Sequence, residues 1–322
     1  MREFTISQKD GGRKLEKWLP SVAHGMTFGV IHRAIRLKRI RINGKVARDG
    51  AEIAPGDVVQ IYLEDSYFQE KPRENRLLAG FRPHIDILYE DDNIILVDKR
   101  PGMRVHPDAD EKVDTLVTHV QAYLYQKGEY DGTGFAPALC NRIDRFTGGI
   151  VIAAKNSEAL HIMDMKVRNR ELEKYYLCAC AGRPAPAEGT LRGYLIKDGK
   201  RVRVIKKNAP GAQYAETGYR VLSTSGGVSL VECRLITGRT HQIRVQFASA
   251  GHPLIGDTQY GDREINRRFS SNFQQLYAYR LKFAFNTDAG ILEYLNGKIF
   301  QVKKLHRGFE EIEKMTRRPG KP

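Results

Sequence analysis

The chain has 322 residues, 41% of them apolar, which suffices for a buried core and allows one large domain or two to three smaller ones. No apolar run approaches the roughly twenty residues that a bilayer-spanning helix needs, and Met1 to Asp10 lacks the apolar stretch of a secretory signal. Lysines and arginines number 53 against 38 acidic residues, a formal charge of +15, so the expected partner is anionic, with nucleic acid ahead of an acidic membrane surface.

Residues 1–66 read as a compact basic unit. Between Arg13 and Asp57, ten lysines and arginines face four acidic residues. Leu15, Trp18, Leu19 and Val22 fall at helical spacing, as do Ile31, Ala34 and Ile35, and Arg33, Arg36 and Lys38 lie off that second stripe. Ile40 and Ile42 alternate with basic residues, Arg41 between them, and Asn43-Gly44 predicts a tight turn. Pro55-Gly56-Asp57 predicts another turn before a strand over Val58 to Leu63. Arginine on one face of such a unit suits RNA binding; a solvated basic face on a structural appendage fits the pattern equally well. The stretches Arg13 to Leu19, Arg41 to Val46 and Pro55 to Val59 together resemble the S-four domain, a small RNA-binding module. That resemblance makes Arg33, Arg36, Lys38 and Arg41 candidate RNA contacts.

Residues 67–83, with mixed charge and little periodicity, read as a linker. A second domain is expected over residues 84–310, and a frayed tail over 311–322. Within the second domain Ile94 to Val97 predicts a strand, and Ile150 to Ala154 a buried one. Asn156 is placed to cap a helix from Ser157 to about Arg168. Further strands are expected over Tyr175 to Ala181, over Val228 to Leu235 with Val221-Leu222 before it, near Leu276 to Phe285, and over Gly290 to Leu295. Strands and helices follow no regular βαβ repeat, so the expected class is α+β, with a mixed, largely antiparallel central sheet. Cys178 and Cys180 alternate along one strand and face one side; with Cys140 and Cys233 they read as buried thiols of a reducing cytoplasm, and no further soft ligands stand at zinc-site spacing.

Three clusters carry candidate chemistry. Asn141 to Gly149 holds Asp144 between Arg142 and Arg145 and ends in a glycine pair before the buried strand. Glycines there allow close backbone approach, and flanking guanidinium groups favour a charged carboxylate fit for nucleophile or base work; an ordinary loop salt bridge is the commoner use of such residues. Thr237 to Val245 crowds Arg239, His241, Gln242 and Arg244 behind a strand, a density that suits phosphate or base-edge recognition, or simply a helix start with a structural histidine. Lys174-Tyr175-Tyr176 opens a strand, where a tyrosine either stacks on a base or packs half-buried.

Together the three clusters resemble the RluA-type pseudouridine synthases, which act mainly on large-subunit ribosomal RNA. The resemblance runs from about Ile85 to Gly261 and includes Ile87 to Asn93, Lys99 with Pro101-Gly102, Val105-His106-Pro107, the run Arg142 to Lys155, Thr237 to Val245, and Gly251 to Asp257 closing on Tyr260-Gly261. It implies Asp144 as catalytic aspartate, Tyr176 as the tyrosine packing on the target base, Arg244 as the arginine pairing with Asp144, and Arg142 as a holder of the flipped-out base. Lys155, Arg239, His241 and Gln242 are the further RNA contacts it suggests. The sequence departs from the usual pattern at Arg100, Asn141, Gly148 and Gln246. The expected activity is isomerisation of uridine to pseudouridine in structured RNA, with base flipping and without metal, cofactor or nucleotide, by a monomer of the cytoplasm. The alternatives are a non-catalytic RNA-binding or ribosome-assembly protein of the same fold and, more remotely, a hydrolase using Asp144 as general base.

Overall fold

A computed structural model describes every residue except 24, 25, 27, 69–76, 133, 200, 270–272, 308, 310, 311 and 313–322. The chain divides into two compact units, residues 1–80 with 131–134, and residues 81–130 with 135–322. Residues 69–76 of the expected linker, and all of the expected tail except Ile312, lie outside the described residues. The ends of both tell against their boundaries: Phe68 packs into the first unit's core, and Ile312 is fully buried in the second.

The first unit is a four-stranded antiparallel sheet in the order β1 (Arg2–Thr5), β4 (Val58–Ile61), β2 (Ile40–Ile42), β3 (Lys45–Val46). Asn43 and Gly44 both take positive φ, 48° and 77°, which closes the tight β2–β3 hairpin that the dipeptide predicts. The apolar spacing from Leu15 to Val22 yields not one helix but α1 (Leu15–Trp18) and a 3₁₀ turn over Leu19–Ser21. Pro20 explains the break, because it offers no N–H to continue the i→i−4 ladder. In α2 (Phe28–Arg36) the stripe Ile31, Ala34 and Ile35 is buried, and Arg33, Arg36, Lys38 and Arg41 are exposed.

The second unit is built on a sheet of eleven strands. They are β5 (Asp86–Glu90), β6 (Ile94–Lys99), β7 (Ala138–Leu139), β8 (Gly148–Ala154), β9 (Leu172–Ala181), β10 (Glu188–Asp198), β11 (Arg201–Ile205), β12 (Gln213–Ser225), β13 (Val228–Leu235), β14 (Leu276–Phe283) and β15 (Ile299–Gln301). The main order is β11-β10-β12-β13-β9-β14-β8-β6-β5, and among the described strands only β8 and β14 pair in parallel. The class is therefore α+β with a mixed, largely antiparallel sheet, as the sequence predicts. Every residue of β6 and β8 is buried, because helices cover both faces of the sheet centre. Ile94, Leu96, Ile150 and Ile152 face α4 (Ser157–Arg168), whereas Ile95, Val97, Val151 and Ala153 face α3 (Leu116–Lys127) and α5 (Gln242–Ser249). Each such isoleucine or valine removed from water contributes roughly 1.5–3 kcal/mol. Among the described residues no helix is long and apolar enough to cross a membrane.

Local signals explain the element ends. The Asn156 side chain accepts from the Ala159 N–H at 2.8 Å and caps α4 as predicted. Gly290–Leu295, expected as a strand, is a 3₁₀ helix: Leu292 and Leu295 are both fully buried at a spacing of three, the period of that helix. Gly149 sits at φ 115°, and a Cβ there would lie 2.2 Å from the Ala278 carbonyl oxygen, so the glycine admits the close approach of β14.

The buried ion pair between Lys166 and Glu171 ties the end of α4 to β9, which begins at Leu172. Burial alone would raise the Glu171 carboxyl, but Lys166, Thr287, the Asn286 N–H and Asn169 outweigh it and hold it at about 2, against an ordinary 4.5. A carboxyl depressed on folding stabilises the fold above its unfolded value, and that contribution is lost as pH falls through the folded value. Thermal melts are thus expected to show a loss between about pH 4.5 and 2 in the parent, and no such limb from this site in Glu171→Gln.

Candidate active site

Asp144 lies on the loop between β7 and β8, and the neighbourhood of that loop fixes its backbone. Ile143 is buried in the core shared with α3 and α5. Arg145 is stitched to Gly102, the Gly102 N–H donating to the Arg145 carbonyl and Arg145 Nε donating to the Gly102 carbonyl, both at 2.9 Å. Lys99, at the end of β6, is almost fully buried, and its Nζ donates to the carbonyls of Arg100, Met103 and Arg145 at 2.9, 3.0 and 2.9 Å. Burial pushes its pKa down to about 7, with Asp144 and Asp98 opposing. Three carbonyl acceptors require three N–H donors, which only the ammonium form has, so the geometry favours charged Lys99.

The Asp144 carboxylate opens into a cleft of about 1060 Å³. The flanking arginines are not its partners: Arg145 Nε serves Gly102, and the N–H that reaches Asp144 comes from Arg244 on α5, one hundred residues away, at 2.8 Å. Arg244 is itself held by Asp257, Nε to Oδ2 at 2.7 Å and Nη2 to Oδ1 at 3.0 Å, and its Cζ stands 5.2 Å from the Tyr260 ring centroid. Burial works against the Arg244 charge, but Asp257 and then Asp144 outweigh it and raise the guanidinium above its usual range. Burial likewise works against the Asp257 charge; Arg244 and the N–H groups of Tyr260 and Gln259 hold that carboxyl below its usual range.

Tyr176 on β9 lines the same cleft and is almost entirely buried. Burial, reinforced by Asp144, raises its phenol above the ordinary range, so it remains a neutral hydroxyl on an aromatic face. Arg142 is exposed at the cleft wall, and its charge, after burial, lowers the neighbouring His106. Arg239 also lines the cleft, with Nε donating to the Tyr214 carbonyl at 3.1 Å. His241 reaches within 3.9 Å of Asp144 through Nε2.

Two expected RNA contacts are spent inside the protein. Gln242 is buried, its Oε1 accepting from Thr237 Oγ1 and the Arg239 N–H and its Nε2 donating to the Glu216 carbonyl and Thr217 Oγ1, so it shapes the loop. Lys155 is absent from the cleft lining; its Nζ pairs with Glu90 and Glu129 and donates to the Asp91 carbonyl. Both are polar residues in a motif whose hydrogen bonds close on their own fold.

The departures from the family pattern have local causes. A Cβ at Gly148 would lie 2.7 Å from the Tyr277 ring, Asn141 Oδ1 accepts the Ile152 N–H, and Gln246 bonds Thr217 Oγ1 and the Leu191 carbonyl. Arg100 pairs with Asp86 at the surface. Sequence reading placed Asp257 and Tyr260 within the family resemblance but gave neither a part in the site. It also passed over Phe146, 40% exposed at the cleft, with its ring stacked on Phe273.

The RNA pseudouridylate synthase family profile matches residues 93–249. An RNA pseudouridine synthase of Chlorobaculum parvum is 33% identical over 80% of this chain and 77% of its own length. Ribosomal large subunit pseudouridine synthase C of Escherichia coli is 29% identical over 86% of this chain and 87% of its own. The structure of human RNA pseudouridylate synthase domain containing 4 matches with a TM-score of 0.57 and 22% identity, covering 76% of this chain and 97% of that one. The fold is thus that of the pseudouridylate synthases. The chain belongs to the RNA pseudouridine synthase family, in its RluA-type branch, and is an isomerase acting on uridine in RNA.

Proposed function

We propose that this enzyme converts uridine to pseudouridine in large-subunit ribosomal RNA, with Asp144 as the catalytic carboxylate. The observation that carries the assignment is the Arg244–Asp144 contact of 2.8 Å within the cleft. Asp257, the carboxylate that shares Arg244 with Asp144, is fully buried, so it is not available as the second group of a two-carboxylate hydrolase. In the reaction the bond from the ribose to uracil N1 breaks, the base turns, and C5 bonds to the same ribose carbon. C5 gives up its proton and N1 gains one, so no redox equivalent or nucleotide is consumed. Asp144 acts on the nucleotide, Arg244 orients it, and Tyr176, a neutral phenol, packs on the flipped base. Arg142 and Arg239 on the cleft walls are placed to hold the flipped nucleotide and its phosphates, offsetting the few kcal/mol of unstacking.

The large-subunit substrate rests on the similarity to the E. coli synthase C. A single chain as the working unit is supported by Asp144, Arg244, Asp257 and Tyr176 meeting within one chain. Four buried cysteines, none in a disulfide, suit a reducing compartment such as the cytoplasm. Tritium release from unmodified, uridine-labelled transcripts tests the substrate: release is expected from large-subunit rRNA, and release from transfer RNA alone would overturn that choice.

In this reading the first unit, expected over residues 1–66 and extending at least to Phe68, serves as an S-four-like RNA-binding domain ahead of a synthase domain that reaches Ile312. Replacing the exposed Arg33, Arg36, Lys38 and Arg41 together by Gln is expected to weaken RNA binding at every sequence. The slope of log K against log salt should shrink by about 0.7 to 0.9 for each phosphate that the variant no longer neutralises. An unchanged slope in a filter-binding titration would remove these residues from the RNA interface.

A further inference from the structure

Around Asp144 stands a second group that the proposed chemistry does not use. His241, the residue before α5, has φ 55° and ψ 18°, a left-handed backbone uncommon for any residue with a Cβ. Its Nδ1 lies 2.8 Å from the Tyr260 hydroxyl, and its Nε2 lies 3.9 Å from Asp144 Oδ2. The same hydroxyl accepts the Val202 N–H at 2.9 Å. The Tyr260 ring also lies against the Arg244 guanidinium and meets the His241 ring edge-on, at a centroid distance of 5.6 Å. One tyrosine therefore touches both groups that approach Asp144.

We propose that Tyr260 and His241 form a positioning pair that locks the imidazole in the Nε2–H tautomer, with that N–H directed at Asp144. Counting protons leads there. Val202 occupies an acceptor site of the phenol oxygen, and the phenol has one proton of its own, for which Nδ1 is the acceptor at hand. An imidazole that accepts at Nδ1 carries its proton on Nε2. Burial holds His241 below its ordinary pKa, with Asp144 pulling the other way, Arg244 and Arg142 adding to the lowering and Asp257 opposing it, which keeps a single ring proton. Arg244 Nη1 and His241 Nε2 both approach Oδ2, so Oδ1 is the oxygen presented to the nucleotide. The pair rests on the reading of Asp144 as the catalytic carboxylate.

Full-length protein labelled with ¹⁵N in histidine tests the lock directly, with the His241 ring resonances assigned through their loss in His241→Gln. The parent is expected to show the Nε2–H tautomer, and Tyr260→Phe to lose it. In Tyr260→Phe, kcat should drop about tenfold with the KM for RNA within about twofold, the signature of a group that orients without binding. His241→Gln, which returns an amide N–H near the place of Nε2, should retain more kcat than His241→Ala. An Nδ1–H ring in the parent, or parental kcat in Tyr260→Phe, overturns the pair. Asp144→Asn run beside them separates the failures: an active Asp144→Asn sinks the catalytic assignment, whereas an inactive one beside a fully active Tyr260→Phe sinks the pair alone.

Discussion

Asp144→Asn is expected to lower tritium release from C5-labelled uridine by on the order of 10⁴-fold or more, with RNA affinity within about twofold of the parent. Asparagine keeps the volume of the side chain and offers Arg244 Nη1 a carbonyl oxygen in place of the carboxylate, so the loop held by Lys99, Gly102 and Ile143 has no cause to move. The substitution removes the negative charge and the nucleophilic or basic oxygen. In the proposed reading RNA affinity rests on the exposed arginines, which the substitution leaves untouched. Single-turnover release above about a tenth of the parental rate would remove Asp144 from the chemistry.

Asp257→Asn should act on both fold and rate. Asp257 Oδ2 accepts from Arg244 Nε, while Oδ1 accepts from Arg244 Nη2 and from the N–H groups of Gln259 and Tyr260. Every one of those partners is a donor, so either orientation of an asparagine amide sets an NH₂ group against an N–H. Arg244 is then a buried cation stripped of its better counter-ion, a destabilisation of about 3–5 kcal/mol. A urea titration should show a lower midpoint at an unchanged slope. Because the same guanidinium orients Asp144, kcat should fall even in the protein that remains folded at low urea. A variant as stable and as fast as the parent would mean that Arg244 is held by other groups.

The centre of the sheet was legible because burial on both faces leaves a continuous run of β-branched residues, as in β6 and β8. α4 was legible from its cap. The outer strands β10 and β11 were not: they carry charged residues on exposed positions and bury few side chains, so they lack an apolar signature. The 3₁₀ helix at Gly290–Leu295 was misread because a short apolar run does not declare its period. At the site, resemblance to the family brought Asp144, Tyr176 and Arg244 together, and they line one cleft. Spacing alone pointed to the flanking arginines instead, since nothing local signals a contact across one hundred residues. Gln242 and Lys155 show the opposite failure, in which polarity within a motif suggests a ligand although the partners are internal.

β11 stands at one end of the strand order, where backbone groups are open to another chain. Its side chains alternate Arg201 and Arg203, both exposed, with Val202 and Val204, so a second copy docking edge to edge would bring like charges together. The Tyr260 hydroxyl already occupies the Val202 N–H that such a neighbour would need. The residue that steadies the imidazole in the proposed pair thus also occupies a backbone donor that an added strand on this edge would need.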